Sequence, residues 1–267
     1  MSDPVTTIGV GALVAYLGKD GLEKVLGPTA DYLGGQLKEL AQKRIENLGQ
    51  ILQNAKAKLS KKEDMAGSVP PKVLKSIIND GSYNDDPLAI EYFGGVLASS
   101  KTESGRDDRG ARIARVVDGL TSYQLRTHYL IYSTIKNVFK SKQYTFNLND
   151  RDRMRIFIPY ETYFLAMQFS ERELEQCESI LRHTFFGLAN DSLIDPQFAY
   201  GSAENIQSHY KKATKGGIVC TPSPLGAELF LCAFGLADKG LSYIFDTGFV
   251  AKSKGIPNHI LNVEPAA

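Results

Sequence analysis

The sequence predicts a mainly α-helical protein, on three observations. Apolar residues recur at three-to-four spacing through most of the chain. Two capping boxes, Thr121-Ser122-Tyr123-Gln124 and Ser170-Glu171-Arg172-Glu173, mark helix starts. Two-residue alternation is confined to one stretch, Tyr144 to Ile158. The architecture expected is a helical body with a long N-terminal helical arm, one β-hairpin over about 144–158, and a C-terminal helix-strand-helix module of winged-helix-like order.

Taken in chain order, residues 6–35 carry glycines at 9, 11, 18, 21, 27, 34 and 35, so any helices there should be short or closely packed. Leu37, Ala41, Ile45, Leu48 and Leu52 then repeat at helical spacing among charged residues, which predicts the longest helix, running to about Leu59. The polar run from Leu59 to Ser68, ending at Pro70-Pro71, reads as a linker. Three regions follow: an arm over 1–62, a main domain over 69–238, and a tail over 239–267 docked by Tyr243, Ile244, Phe245, Phe249 and Val250.

Within the main domain, Val69 to Ser100 predicts two amphipathic helices. One buries Val73, Leu74, Ile77 and Ile78; the other buries Leu88, Ala89, Tyr92, Phe93, Val96 and Leu97. Asn79 to Ser82 is the turn between them, Asp86 is placed to cap the second helix, and Pro87 suits its first position. Gly94 and Gly95 interrupt that helix at a cost of about 1 kcal/mol each relative to alanine, which points to close helix contact. A short helix is expected over Ala111–Leu120, and a longer one after Thr121 with Leu125, Tyr129, Tyr132, Ile135 and Phe139 on its inner face. In the hairpin, Tyr144, Phe146 and Leu148 alternate with polar residues, 149–152 turns, and Met154, Ile156 and Ile158 alternate again. After Ser170, Leu174, Cys177, Leu181, Phe185 and Leu188 line one helix; the strand-like Ile218-Val219-Cys220 and a helix from Pro224 through Phe234 complete the module.

Composition sets bounds on function. The chain has 267 residues, 43% of them hydrophobic, and a net charge of +1, which argues against a strong general pull toward nucleic acid. Cys177, Cys220 and Cys232 lie in apolar patterns without metal-ligand spacing, as expected of reduced structural thiols. No secretory signal is evident, so the expected compartment is the cytoplasm. The uncharged stretch 5–18 is shorter than the ~20 residues that span a bilayer as a helix, leaving packing on the body or peripheral membrane contact as its readings.

No catalytic constellation is visible, and no metal or cofactor is called for. Gly9-Val10-Gly11-Ala12 lacks the lysine and hydroxyl of a phosphate-cradling loop. His128, His183, His209 and His259 are widely separated, and His128 reads as a packed, hydrogen-bonded residue. Two charged patches remain. Arg106, Asp107, Asp108, Arg109 and Arg112 form either a phosphate-directed binding patch or a solvated helix start whose aspartates complement the dipole, the second being favoured. Arg151, Arg153 and Arg155, alternating on one side of the expected hairpin near Tyr144, form either a single-strand nucleic-acid surface or a solvated strand face partly neutralised by Asp150 and Asp152.

The helix pair around the acidic turn Asn84-Asp85-Asp86, with Glu91 to Ala98 as its second element, carries a resemblance, although it lacks a tryptophan at the start of that element. So do Ile180-Leu181, Phe186-Gly187-Leu188, the run Ile218 to Gly226 with Ser223-Pro224 as a two-residue insertion or substitution, and Phe230 to Ala233. Together these segments, within about 28–235, resemble the abortive-infection alpha family of bacterial phage-resistance proteins. The resemblance implies a role in phage defence and supplies no catalytic residue to carry over. The function expected is a non-enzymatic interaction protein with a protein partner or a second copy of itself; a membrane-perturbing effector acting through residues 5–18 ranks second, a nucleic-acid effector third.

Overall fold

The computed structural model describes residues 34–59 and 67–252, together with Val263 and Pro265. The expected glycine-bearing segment 5–18, the Gly9–Ala12 run and most of the expected linker lie outside the described residues. The chain packs as two compact units, one of Met1–Leu120 with Cys232–Asp238, the other of Thr121–Leu231 with Lys239–Ala267.

The first unit is helical. Helix α1 (Gly34–Leu59) buries Leu48, Ile51, Leu52, Ala55 and Leu59, a three-to-four stripe that packs on α3 (Pro87–Ser99). Between them in sequence come α2 (Pro71–Asn79), which buries Val73, Leu74 and Ile77, and a 3-10 turn over Gly81–Tyr83. Helix α3 is apolar all round, and every residue from Leu88 to Ala98 except Glu91 is buried. Its start is as expected: the Asp86 carboxylate accepts from the N–H groups of Leu88 (2.7 Å) and Ala89 (3.4 Å), with Pro87 next to it. Helix α4 (Arg109–Gly119) packs on α2 and α3. The apolar stripe of α1 is spent on α3, within the unit that runs to Leu120; the boundary expected over 62–69 lies largely outside the described residues.

Both glycines of α3 sit at close contacts. A Cβ built on Gly94 would stand 2.6 Å from the Asn54 Cβ and 3.0 Å from the Ile51 carbonyl oxygen of α1. One built on Gly95 would overlap the Ala233 carbonyl. The acidic turn is occupied structurally as well. Asp86 is the cap; Asp85 takes the Lys43 ammonium and, at 3.1 Å, the Asn47 amide from α1, and these partners hold its carboxyl below the usual range, Lys43 most strongly.

The second unit is helical with one small sheet. Thr121 and Gln124 form the capping box of α5 (Ser122–Val138), whose residues from Gln124 to Lys136 are buried except Arg126. There follow α6 (Leu148–Arg153), β1 (Ile156–Pro159), α7 (Tyr160–Met167), α8 (Glu171–Glu175), α9 (Cys177–Asn190), β2 (Ala199–Gly201), α10 (Ala203–Ile206), β3 (Gly217–Cys220), α11 (Pro224–Ala233) and a 3-10 turn over Leu241–Phe245. The sheet has three antiparallel strands in the order β1-β3-β2, with Ile158 opposite Ile218 and Ala199 opposite Val219. Central β3 is buried along its whole length.

The hairpin expected over about 144–158 does not form. Its first arm and turn are replaced by α6, because Asn147 caps that helix by accepting the Asp150 N–H at 2.9 Å, and Asp150 in turn accepts from the N–H (2.9 Å) and hydroxyl (2.8 Å) of Thr145. These local bonds override an alternation of only a few residues. The second arm is a strand, β1, but its partner is β3. The single helix expected after Ser170 is also interrupted: Ser170 and Glu173 form the capping box of α8, and Gln176 (φ −104°, ψ 11°) separates it from α9.

The start of α11 explains the Thr221-Pro-Ser-Pro-Leu-Gly run. The Ser223 hydroxyl accepts the Gly226 N–H (3.0 Å) and donates to the Ser192 carbonyl (2.6 Å). The buried Tyr132 hydroxyl accepts the Ser223 N–H (2.9 Å) and donates to the Leu193 carbonyl (2.7 Å). A Cβ at Gly226 would overlap both that hydroxyl and that carbonyl, so only glycine fits there.

Candidate functional site

The segment leading into α4 places the first charged patch. Arg109, the first residue of the helix, turns back on Asp107: its Nε lies 2.9 Å and its Nη2 2.6 Å from the two carboxylate oxygens, while the Arg109 N–H also donates to Asp107 Oδ1 at 3.2 Å. The Arg109 guanidinium beside it holds the Asp107 carboxyl below the usual range. Asp108 receives Lys72 Nζ of α2 at 2.8 Å. Arg106 and Arg112 point to solvent. Both aspartates thus engage nearby cations across the start of the helix.

The three arginines of the second patch do not share a strand face. Arg151 and Arg153 belong to α6 and Arg155 to the link between α6 and β1, so the formation of a helix separates them. Arg151 is half-buried and lies 3.6 Å from the Asp195 carboxylate through Nη1, with its buried Nε lacking a hydrogen-bond partner. Arg153 is exposed and Arg155 half-buried.

Buried titratable groups are committed to packing. The His128 Nε2–H donates to the Gly226 carbonyl at 3.0 Å, which fixes the tautomer, since a carbonyl only accepts. Complete burial lowers its pKa to about 4, against the opposing pull of that hydrogen bond. Burial pushes the Cys220 thiol up to about 12. Among the described residues no group of three or more His, Cys, Asp or Glu side chains could hold a metal ion.

A groove of about 630 Å3 lies where the segment after α5 meets the 3-10 turn near the C-terminal end. Residues 141–145 form one wall and 239–247 the other, with Lys142, Tyr144, Lys239, Tyr243, Phe245 and Asp246 as its chemically distinctive lining. The walls are tied where Ser141, in left-handed backbone at φ 68°, donates its N–H to the Phe245 carbonyl at 3.1 Å. Aromatic packing backs them: Phe146 stacks on Phe245 at 5.9 Å, Tyr144 meets the edge of Phe245 at 6.4 Å, and Tyr243 leans on Phe249 at 6.0 Å. The lining offers ammonium and hydroxyl donors, two half-exposed tyrosine rings and one carboxylate. Sequence reading missed this groove, because its walls are about a hundred residues apart and neither carries a motif.

No family model, no curated protein and no solved structure matches this chain.

Proposed function

We propose that the chain serves bacterial defence against phage by abortive infection, and that it acts through protein contacts without catalysing a reaction. The observation that supports this reading is where the resembling segments fall in the fold. Val69–Ser100, Ile180–Leu188 and Ile218–Ala233 are the segments that carry the resemblance, and three of their glycines, Gly94, Gly95 and Gly226, lie at contacts that exclude a side chain. Their residues are spent on shaping the body that a partner, or a second copy of this chain, would meet. Among the described residues no helix is long and apolar enough to cross a membrane.

The test is phage plating on bacteria expressing the full chain or an empty vector, with membrane potential recorded through infection and the oligomeric state of the purified chain measured by light scattering. Fewer plaques without depolarisation, together with a stable oligomer or a defined partner, is the expected result. Depolarisation that disappears on deleting residues 5–18 would transfer the function to the membrane alternative. Equal plating on both strains would end the defence reading.

A further inference from the structure

The groove between residues 141–145 and 239–247 has the chemistry of a small-ligand site. Its volume of about 630 Å3 falls within the roughly 300–1,000 Å3 of pockets that take cofactor-sized molecules. Each wall contributes one tyrosine ring, Tyr144 packed against Phe245 of the other wall and Tyr243 against Phe249, and tyrosine faces stack on planar heterocycles. Each wall also contributes one lysine, Lys142 and Lys239, the latter engaged with the Tyr243 ring, its ammonium 5.7 Å from the ring centre.

The charge balance favours an anion. Among the described residues of the lining, Asp246 is the one carboxylate, against two lysines. Lys136, buried on α5, holds its ammonium 5.4 Å from the Phe249 ring centre; desolvation and then the charge of Lys140 lower its pKa, while the charge of Asp246 opposes them. Ser141, Ser242 and Thr247 add hydroxyls to the lining from both walls, groups that can donate to phosphate oxygens. Asp246, fixed through Oδ1 by the Gly248 N–H at 2.7 Å, is the acceptor that sugar hydroxyls require. Ser141 holds a backbone conformation that costs a non-glycine residue of order 1–3 kcal/mol, maintained by its bond to Phe245, so the wall is set before any ligand arrives.

We propose that this groove binds a nucleoside phosphate, with the base against the tyrosine faces and the phosphates on Lys142 and Lys239. The site does not depend on how the chain acts in defence. The experiment is calorimetric titration of the full chain with ATP, GTP and AMP, and with inorganic triphosphate and adenosine as the two halves of the ligand. At least one nucleotide should bind well over tenfold more tightly than either half. Lys142→Glu with Lys239→Glu should weaken it by about a hundredfold or more, through loss of two charge-assisted contacts and gain of two repulsions. Tyr243→Ala should weaken the nucleotide and leave triphosphate unchanged. Both lysines are exposed, so the unliganded double variant should still unfold in one cooperative transition even if its midpoint shifts with loss of the Lys239 contact to Tyr243, which separates a binding defect from misfolding. The proposal is overturned if no nucleotide binds, if triphosphate binds as tightly as the nucleotides, or if binding survives the double charge reversal in a folded protein.

Discussion

Lys58 and Glu91 are joined twice: the Lys58 ammonium stands 2.9 Å from the Glu91 carboxylate and 3.1 Å from the carbonyl oxygen of the same residue. Only 11% and 15% of the two side chains remain exposed, so this ion pair between α1 and α3 is largely withdrawn from water. A pair of this kind matters most when half of it is removed, because the remaining charge keeps its desolvation cost without its partner. Lys58→Met should destabilise the first unit by about 3 kcal/mol in urea unfolding. The double variant Lys58→Met with Glu91→Leu should recover most of that loss; strictly additive effects would show that the two residues are not coupled.

Glycine positions should divide into two classes on substitution. A Cβ at Gly49, in the middle of α1, meets nothing within 4 Å, so Gly49→Ala should raise stability by about 1 kcal/mol through helix propensity alone. Gly95→Ala has the same propensity gain but must displace the Ala233 backbone, and a net loss of about 1–3 kcal/mol is expected. Thermal melts of the two variants should move in opposite directions.

Burial holds the His128 imidazole neutral down to about pH 4, against an ordinary value of 6.5. Between those values the unfolded chain binds a proton that the folded chain refuses. The stability is therefore complete above pH 6.5 and falls as pH drops toward 4, by up to about 3 kcal/mol. Asp85, Asp107 and Glu173, whose carboxyls are held low by their hydrogen-bond partners, change stability in the same direction but at lower pH. Urea midpoints of His128→Gln across pH 4 to 6.5 should show a flattened slope, whatever the absolute cost of the substitution.

The Tyr132 hydroxyl serves the Ser223 N–H and the Leu193 carbonyl inside the core. Tyr132→Phe keeps the ring and strands both backbone groups, so a loss of about 1–3 kcal/mol is expected. Hydrogen exchange should report it locally, with faster exchange at Ser223 and Gly226 than in wild type. Unchanged exchange at both amides would mean that the hydroxyl is dispensable.

Alkylation at pH 8, read by mass spectrometry, should modify Cys177 first. Cys177 is half-buried, while Cys220 is fully enclosed with its thiol pushed up to about 12, and Cys232 is buried as well. Cys220 should react only when urea opens the second unit.

Much of the helical fold was legible because its signals are local. Asp86-Pro87, Thr121 with Gln124 and Ser170 with Glu173 each state a helix start within four residues, and each is realised. The Gly94-Gly95 pair predicted close contact but could not name Ala233, which lies 138 residues further along. The expected hairpin failed where one local signal was ranked above another: alternation at Tyr144, Phe146 and Leu148 lost to the cap formed by Thr145, Asn147 and Asp150. Strand β1 was readable as a strand, yet its pairing with β3 was not, since register across some sixty residues leaves no trace in either segment. For the same reason the groove was invisible. Of the charged patches, sequence identified Arg106 to Arg112 as a cluster, whereas only the fold commits Asp107 to Arg109 and Asp108 to Lys72.

The contact of Gly95 with Ala233 also orders events during synthesis. The first unit is completed by Cys232–Asp238, so its helices up to Leu120 emerge from the ribosome without the segment that covers Gly95. At about 5–20 residues per second, that exposed surface waits on the order of ten seconds for the intervening chain to be made. During that interval Gly95 and the apolar residues beside it on α3 stand uncovered, open to whatever chaperone or neighbouring chain is at hand.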